Sequence, residues 1–130
     1  MIVVDASAIV AMLLGEPERE AFLELAAAAE TCISPVGYWE AAIRTEQQRG
    51  PQGLAELDTL LSDLGIQVQA ADEHTARLAV AAARRFGKRT PARLNLGDCF
   101  AYALAKQLDA PLLFKGDDFA LTDVRSAAPA

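Results

Sequence analysis

The chain has 130 residues, of which 52% are hydrophobic and 23% are charged, and its formal net charge at pH 7 is −6. This length predicts a single domain over residues 1–130, and the composition is typical of an ordinary soluble globular protein. No apolar run approaches the roughly 20 residues that a membrane-spanning helix needs, and the start MIVVD lacks a basic lead. A membrane protein and a secreted protein are therefore not expected.

Cys32 and Cys99 have no CxxC or Cys/His spacing, which favours buried free thiols in the cytoplasm.

Short apolar strands alternate with helices along the chain. In order, the pattern predicts a strand over 1–4, helices over 7–14 and 18–29, a strand over 31–33, helices over 35–49 and 54–64, a strand over 66–70, helices over 73–86 and 95–108, a strand over 111–114, a turn over 116–121 and a last extended piece from 124. Ser34-Pro35 is typical of a helix start and Gly50-Pro51 of a helix end. Residues 126–130 are expected to form a loose tail. Alternation of this kind predicts an α/β fold, a three-layer α/β/α sandwich around a short, mainly parallel sheet.

The basic residues are concentrated in one part of this acidic chain. The segment 74–97 contains no Asp or Glu and carries six positive charges, while the remainder has a net charge of −12. Its basic residues are Arg77, Arg84, Arg85, Lys88, Arg89 and Arg93. Such a segment could contact phosphates, or it could be a solvated face with a charged loop.

Acidic side chains follow two of the predicted strands. Asp5 comes directly after the first strand, and Asp117 and Asp118 follow the strand over 111–114. Ligands of open parallel sheets bind beyond the carboxyl ends of the strands, so these acids are candidates for a site. The alternative for Asp5 is a cap on the next helix, and one of the two later acids is expected to cap the turn into Phe119.

Two further acids lie on predicted helices. Glu40 shares a helical face with Val36, Trp39 and Ile43, and a carboxylate in an apolar stripe is costly unless it is paired or binds a cation. Alternatively, Glu40 lies at the edge of the stripe and reaches water. Asp98 lies in the first turn of an apolar helix that we expect to be central, where it could also form a capping box with Asn95.

Clustered carboxylates repel one another and therefore need a cation. Hard divalent ions such as Mg²⁺ or Mn²⁺ prefer oxygen ligands, and such an ion can activate water and offset charge on a scissile phosphate. The single histidine, His74, has no partner for a zinc site and is expected on a helix surface.

Four segments resemble the motifs of the PIN-domain family, in order and over essentially the full chain. They are MIVVDASAIVA from Met1, SPVGYWE ending at Glu40, LNLGDCFAYA around Asp98, and PLLFKGDDF from Pro111 with Thr122-Asp123. The pattern is similar to VapC toxins. Two departures are Ala6, where Thr is frequent, and the last motif, which leaves the fourth acid open between Asp117 and Asp118; we favour Asp117.

The resemblance implies a Mg²⁺- or Mn²⁺-dependent endoribonuclease toxin. It further implies a homodimer and inhibition by a cognate VapB antitoxin. Under this hypothesis Asp5, Glu40 and Asp98 hold the metal and Asp117 contributes directly or through water. Ser7 orients a carboxylate or water, or else caps a helix, and Asn95 supports Asp98. The basic residues expected to guide the RNA backbone are Arg84, Arg85, Lys88, Arg89 and Arg93.

Two other classes of protein also use acids at strand ends. An Asp-based phosphoryl-transfer protein fits poorly, because a haloacid-dehalogenase-type phosphatase carries a second Asp two residues after the first, where this chain has Ser7. A receiver domain needs a paired acid early in the chain, and residues 6 to 15 supply none. A non-catalytic α/β binding module remains possible, with the acids only stabilising helix ends; its stability would not depend on divalent metal.

Overall fold

The computed structural model describes residues 1–129, in which four short strands and six helices alternate. The strands are β1 (Ile2–Val4), β2 (Thr31–Ile33), β3 (Gln67–Val68) and β4 (Leu112–Leu113), and the helices are α1 (Ala6–Leu13), α2 (Arg19–Ala27), α3 (Pro35–Arg49), α4 (Pro51–Leu64), α5 (Glu73–Phe86) and α6 (Leu96–Gln107). A short 3-10 helix over Asp118–Leu121 follows β4.

All four strands are parallel and lie in the order β3-β2-β1-β4. In β1, Val3 pairs with Cys32 on one side and Leu112 on the other, which places β1 at the centre of the sheet. Because successive side chains of a strand point to opposite faces, each short strand serves two cores. Because β1 and β4 are parallel neighbours, their carboxyl ends lie side by side.

Helices cover both faces of the sheet. One core contains Val3, Cys32 and Leu112 and is closed by α5 and α6, while the other contains Val4, Ile33 and Leu113 and is closed by α1 to α4. The α/β/α sandwich with a parallel sheet is therefore confirmed. The central position expected for the apolar helix α6 is also confirmed, since its residues 101–105 are all buried.

The buried face of α3 differs from the one that the sequence predicted. Gly37, Ala41 and Thr45 face the core, whereas Trp39 is 61% exposed. The expectation that Glu40 lies within an apolar core stripe was therefore wrong, and the alternative position at the edge of the buried face holds. Helix α4 packs so closely against α3 at Gly53 that small residues are required at the contact.

Two local predictions were wrong. Helix α4 begins at Pro51 instead of residue 54, because a proline suits the first turn of a helix as well as it ends the previous one. The tail is not loose over 126–128: Ser126 pairs with Leu112 in a parallel bridge, and Ala127 and Ala128 pack against the core. The final residue, Ala130, lies outside the described residues.

Cys32 and Cys99 are both free and buried, as predicted. His74 is exposed on α5, also as predicted. No helix within residues 1–129 combines the length and the apolar character that crossing a membrane requires.

Candidate active site

A pocket of about 350 Å³ opens where β1 and β4 end and α6 begins. Its lining combines side chains from five separate parts of the chain. The charged and polar members are Asp5, Ser7, Glu16, Glu40, Arg44, Asn95, Asp98, Lys115 and Asp118. The structure thus brings together Asp5, Glu40 and Asp98, the three acids that the sequence singled out on separate elements.

Asp5 is fixed where β1 passes into α1. Its backbone N–H donates to the carbonyl of Leu113 in β4, and its carboxylate Oδ2 accepts hydrogen bonds from the backbone N–H of Ser7 at 3.0 Å and from the Ser7 hydroxyl at 2.6 Å. The Ser7 hydroxyl oxygen in turn accepts from the backbone N–H of Lys115 at 3.0 Å. Asp5 therefore caps α1, as the structural alternative predicted, and it also faces the pocket with only 5% of its surface exposed.

Asp98 is held by the capping box that the sequence suggested. The backbone N–H of Asp98 donates to Asn95 Oδ1 at 2.8 Å, and the backbone N–H of Asn95 donates to Asp98 Oδ2 at 3.0 Å. This bond uses Oδ2, which leaves Oδ1 for a ligand. Capping and a role in the pocket are thus compatible in Asp98 as they are in Asp5.

Glu40 reaches the pocket from α3 by lying over the backbone of Gly97 at the start of α6. Ser34 caps α3 by accepting from the backbone N–H of Gly37 at 2.9 Å, and Pro35 occupies the first helical position, as predicted. The cap sets where α3 starts and therefore which turn faces α6. Glu40 is half-buried in this position.

Burial and, for Glu40 and Asp98, repulsion from neighbouring acids raise the pKa values of the carboxylates in the pocket. Burial raises the pKa of Asp5, and burial followed by repulsion from Asp5 raises the pKa of Glu40. The pKa of Asp98 is raised to about 6, chiefly by burial, with repulsion from Asp5, Glu40 and Asp118 adding to it and the bond from Asn95 opposing it. The pocket therefore concentrates negative charge that a cation would stabilise.

The structure places Asp118, and not Asp117, on the wall of the pocket. Asp117 precedes the 3-10 helix, is exposed and makes no side-chain capping bond. This placement contradicts the expectation that Asp117 faces the pocket and favours its neighbour as the fourth acid. The sequence could not decide between adjacent acids because the choice depends on how the backbone turns after Gly116, whose φ is +105°.

Sequence reasoning missed two cations in the pocket, Arg44 and Lys115. Arg44 lies one helical turn after Glu40, so the i,i+4 spacing could have identified it. Lys115 lies two residues after the end of β4, and its Nζ lies 3.1 Å from Glu16 Oε1 and 3.3 Å from Glu18 Oε1.

The basic side chains of the segment 74–97 do not line the pocket. Arg77 pairs with Glu73 at 2.9 Å, and the Arg85 guanidinium lies over the Phe86 ring. The exposed members with no ion pair in residues 1–129 are Arg84, Lys88, Arg89 and Arg93. Lys88 lines an apolar groove between α5 and α6, and Asn95 lines both this groove and the acidic pocket. The groove that Lys88 lines and the acidic pocket therefore adjoin each other at Asn95.

The donor set of the pocket suits a hard divalent cation. Among the described residues, no three Asp, Glu, His or Cys side chains lie close enough to form a ready ligand set. Mg²⁺ does not require one, because it usually keeps several waters and binds through one or two carboxylates. Several carboxylates around one pocket, with no Cys or His among its lining residues, fit this mode of binding better than a zinc site.

The chain is similar to known proteins in sequence and in fold. The family model described as PIN domain matches residues 2–124. A ribonuclease VapC from Mycolicibacterium smegmatis is 47% identical over 125 residues, covering 94% of this chain and 96% of the relative. The crystal structure of Mycobacterium tuberculosis VapC20, described as a Sarcin-Ricin loop cleaving toxin, superposes with a TM-score of 0.81 at 15% identity, covering 99% of this chain and 100% of that one. A toxin–antitoxin complex from Klebsiella pneumoniae gives a TM-score of 0.73 at 18% identity, covering 95% and 93% of the two chains.

Proposed function

The chain belongs to the PIN domain family, and on that premise we propose that it is a metal-dependent endoribonuclease whose catalytic centre is the pocket of Asp5, Glu40 and Asp98. The toxin ribonuclease activity follows from relatives of the VapC type that match nearly the whole chain. The observation that carries the assignment of the centre is that three acids, one directly after β1, one in α3 and one in α6, line one pocket at the carboxyl end of the sheet.

The four acids have two roles in this proposed centre. Asp5 and Asp98 would hold a Mg²⁺ ion, which Mn²⁺ could replace, and Glu40 and Asp118 would complete its surroundings directly or through water. The chemistry that such a cation supplies when bound is activation of a water and neutralisation of charge at the scissile phosphate. Ser7 keeps the Asp5 carboxylate in place through the 2.6 Å hydrogen bond, and Asn95 keeps Asp98 in place through the cap.

The RNA backbone would approach along the basic segment. Lys88 and Asn95 connect this segment to the pocket through the groove between α5 and α6. The side chains assigned to the RNA backbone are Arg84, Arg85, Lys88, Arg89 and Arg93. Contacts of this kind position a substrate without reading its sequence, so they assign a path to the RNA and not a cleavage site.

The proposed partners are an antitoxin of the VapB type and a second copy of the chain. The relatives are named as VapC ribonucleases, and one structure of similar fold is a toxin–antitoxin complex. Exposed apolar side chains at Val80 and Leu96 provide surface for a protein contact.

Two experiments test these partners. Light scattering of the purified chain measures its molecular mass and so tests for the dimer, and co-purification with the product of the adjacent upstream gene tests for the antitoxin complex. We place the protein in the cytoplasm, where its two thiols stay reduced.

The nuclease assignment is tested by cleavage of RNA with the purified chain. We expect cleavage with Mg²⁺ or Mn²⁺ and none with EDTA. Asp5→Asn and Asp98→Asn should each abolish cleavage while the melting temperature stays the same or rises, because removing one of several crowded charges relieves repulsion.

Asp63→Asn is the matched control, because Asp63 is exposed on α4 away from the pocket. Its cleavage rate should equal that of the wild type. Normal cleavage by both pocket variants would reject the proposed centre. A melting temperature that does not respond to metal would support the non-catalytic binding module instead.

A further inference from the structure

Within residues 1–129, one of the two cations that line the acidic pocket forms no ion pair. Lys115 is paired with Glu16 and Glu18, whereas the side chain of Arg44 has no acid within 4.0 Å in the part of the chain that the structure describes. Arg44 is exposed at the pocket wall, and it is close enough to Asp5 and Glu40 to favour the charged form of both. Its guanidinium is therefore free to bind an anion.

The position of Arg44 is set by a rigid part of the fold. The neighbouring residue Thr45 is fully buried, and its hydroxyl donates to the carbonyl of Ala41 at 2.6 Å. Glu40 and Arg44 are one turn apart and so lie on the same side of α3. The helix thus presents an acid and a base together at the edge of one pocket.

An RNA phosphate that enters this pocket meets strong repulsion. The lining includes five acids, namely Asp5, Glu16, Glu40, Asp98 and Asp118, and only two cations. A guanidinium presents a planar fork of donors that matches two phosphate oxygens at once. We propose, resting on the nuclease function above, that Arg44 binds a backbone phosphate of the RNA and positions the substrate against the acidic centre.

The first test measures binding without cleavage. A short fluorescein-labelled single-stranded RNA is titrated in EDTA against Asp98→Asn protein at a series of salt concentrations, and the slope of log affinity against log salt is compared with that of the same protein carrying Arg44→Gln. Loss of one phosphate contact should make the slope shallower by about 0.7 for single-stranded RNA.

Arg19→Gln is the matched control because Arg19 is exposed at the start of α2, lines a different cavity and has no ion pair within residues 1–129. Arg19→Gln removes the same charge away from the pocket, so its salt slope in the Asp98→Asn background should stay close to that of Asp98→Asn alone. Arg44→Lys keeps the charge and should restore most of the slope.

The second test measures turnover with metal in an otherwise wild-type chain. Arg44→Gln should lower kcat/KM by about 10- to 100-fold, the loss expected for a charge-assisted hydrogen bond. Arg44→Lys should recover part of this loss, since an ammonium lacks the two-pronged geometry of the guanidinium.

The outcomes separate this inference from the nuclease assignment. Equal salt slopes for Arg44→Gln and Arg19→Gln, or a loss of turnover with no change in slope, would overturn the phosphate contact, because Arg44 would then act only on the neighbouring acids. A shallower slope for Arg44→Gln, together with a wild-type chain that cleaves no RNA when Mg²⁺ or Mn²⁺ is present, would preserve the phosphate contact and reject the nuclease.

Discussion

Glu40 and Gly97 are in contact so close that a Cβ atom built on Gly97 would overlap Glu40 Oε1. The contact joins α3 to the first turn of α6 and places the Glu40 carboxylate beside Asp98. A residue with a side chain cannot occupy position 97 while Glu40 stays where it is. The geometry of the acidic pocket therefore depends on a glycine that carries no chemistry of its own.

Gly97→Ala should separate activity from stability. The atoms that must move are the end of a flexible side chain, and Ala is a better helix former than Gly by up to about 1 kcal/mol. We expect a melting temperature equal to or above that of the wild type. RNA cleavage should fall by about 10- to 100-fold, because Glu40 is displaced from the centre.

Gly53→Ala is the contrasting control on α4. A Cβ there would lie 2.6 Å from the backbone carbonyl oxygen of Thr45, which cannot swing away. This variant should melt at a lower temperature, yet its folded molecules should cleave RNA normally. Wild-type cleavage by Gly97→Ala would mean that the position of Glu40 does not matter for turnover.

The stability of the metal-free protein should fall as the pH rises through the range in which Asp98 ionises. Its pKa is raised from 3.8 to about 6 in the folded chain, mainly by burial. Between these values the folded state binds more protons than the unfolded state, so the free energy of unfolding decreases with increasing pH. Raised pKa values of Asp5 and Glu40 act in the same direction.

Asp98→Asn isolates this contribution, because an amide oxygen can still accept the capping bond from Asn95. Thermal unfolding in EDTA is compared for the two proteins from pH 4 to pH 7. The variant should gain stability relative to the wild type as the pH rises through about 6. Parallel curves of stability against pH would show that the pKa of Asp98 is not raised in the folded chain. In a separate measurement at neutral pH, added Mn²⁺ should stabilise only the wild type.

Asp117 and Asp118 form a natural matched pair for testing the fourth acid. Asp118 lines the pocket and Asp117 does not. Asp118→Asn should raise the Mn²⁺ concentration needed for half-maximal cleavage by about 10- to 100-fold. Asp117→Asn should leave it near the wild-type value. A larger effect from Asp117→Asn would reverse the assignment and restore the choice made from the sequence.

The parts of the fold that local chemistry determines were predictable. Helix α5 has the bounds predicted for it, and α3 starts at the Ser34-Pro35 signal. The position of Asp5 followed from a strand of three apolar residues and from the rule that parallel sheets bind ligands at their carboxyl ends. Such inferences need only the identity of neighbouring residues and the spacing of apolar residues within one element.

Features that depend on long-range packing were not predictable in the same way. The buried face of α3 was misassigned because Val36, Trp39 and Ile43 form an apolar stripe that the fold leaves partly in solvent. The bridge between Ser126 and Leu112 joins residues distant in sequence, and no local pattern marks it. Lys115 lines the pocket only because of the path that the chain takes after β4, which is likewise not visible in the local sequence.

Ser7→Ala tests the link between the two strand ends. The Ser7 hydroxyl donates to Asp5 and accepts from the backbone N–H of Lys115, so its removal leaves that N–H without its acceptor and the carboxylate with one hydrogen bond fewer. We expect the free energy of unfolding to fall by about 1 kcal/mol.

Cleavage by Ser7→Ala should fall by more than this loss of stability explains, because the Asp5 carboxylate then keeps only the bond from the backbone N–H of residue 7 and is held less firmly. Ser62→Ala is the control, since Ser62 is exposed on α4 and its hydroxyl makes no hydrogen bond within residues 1–129. Thermal unfolding and single-turnover cleavage are measured at a temperature where every variant is folded. If both serine variants cleave at the wild-type rate, the Ser7 hydroxyl only ties α1 to the chain after β4 and does not position the proposed metal ligand Asp5.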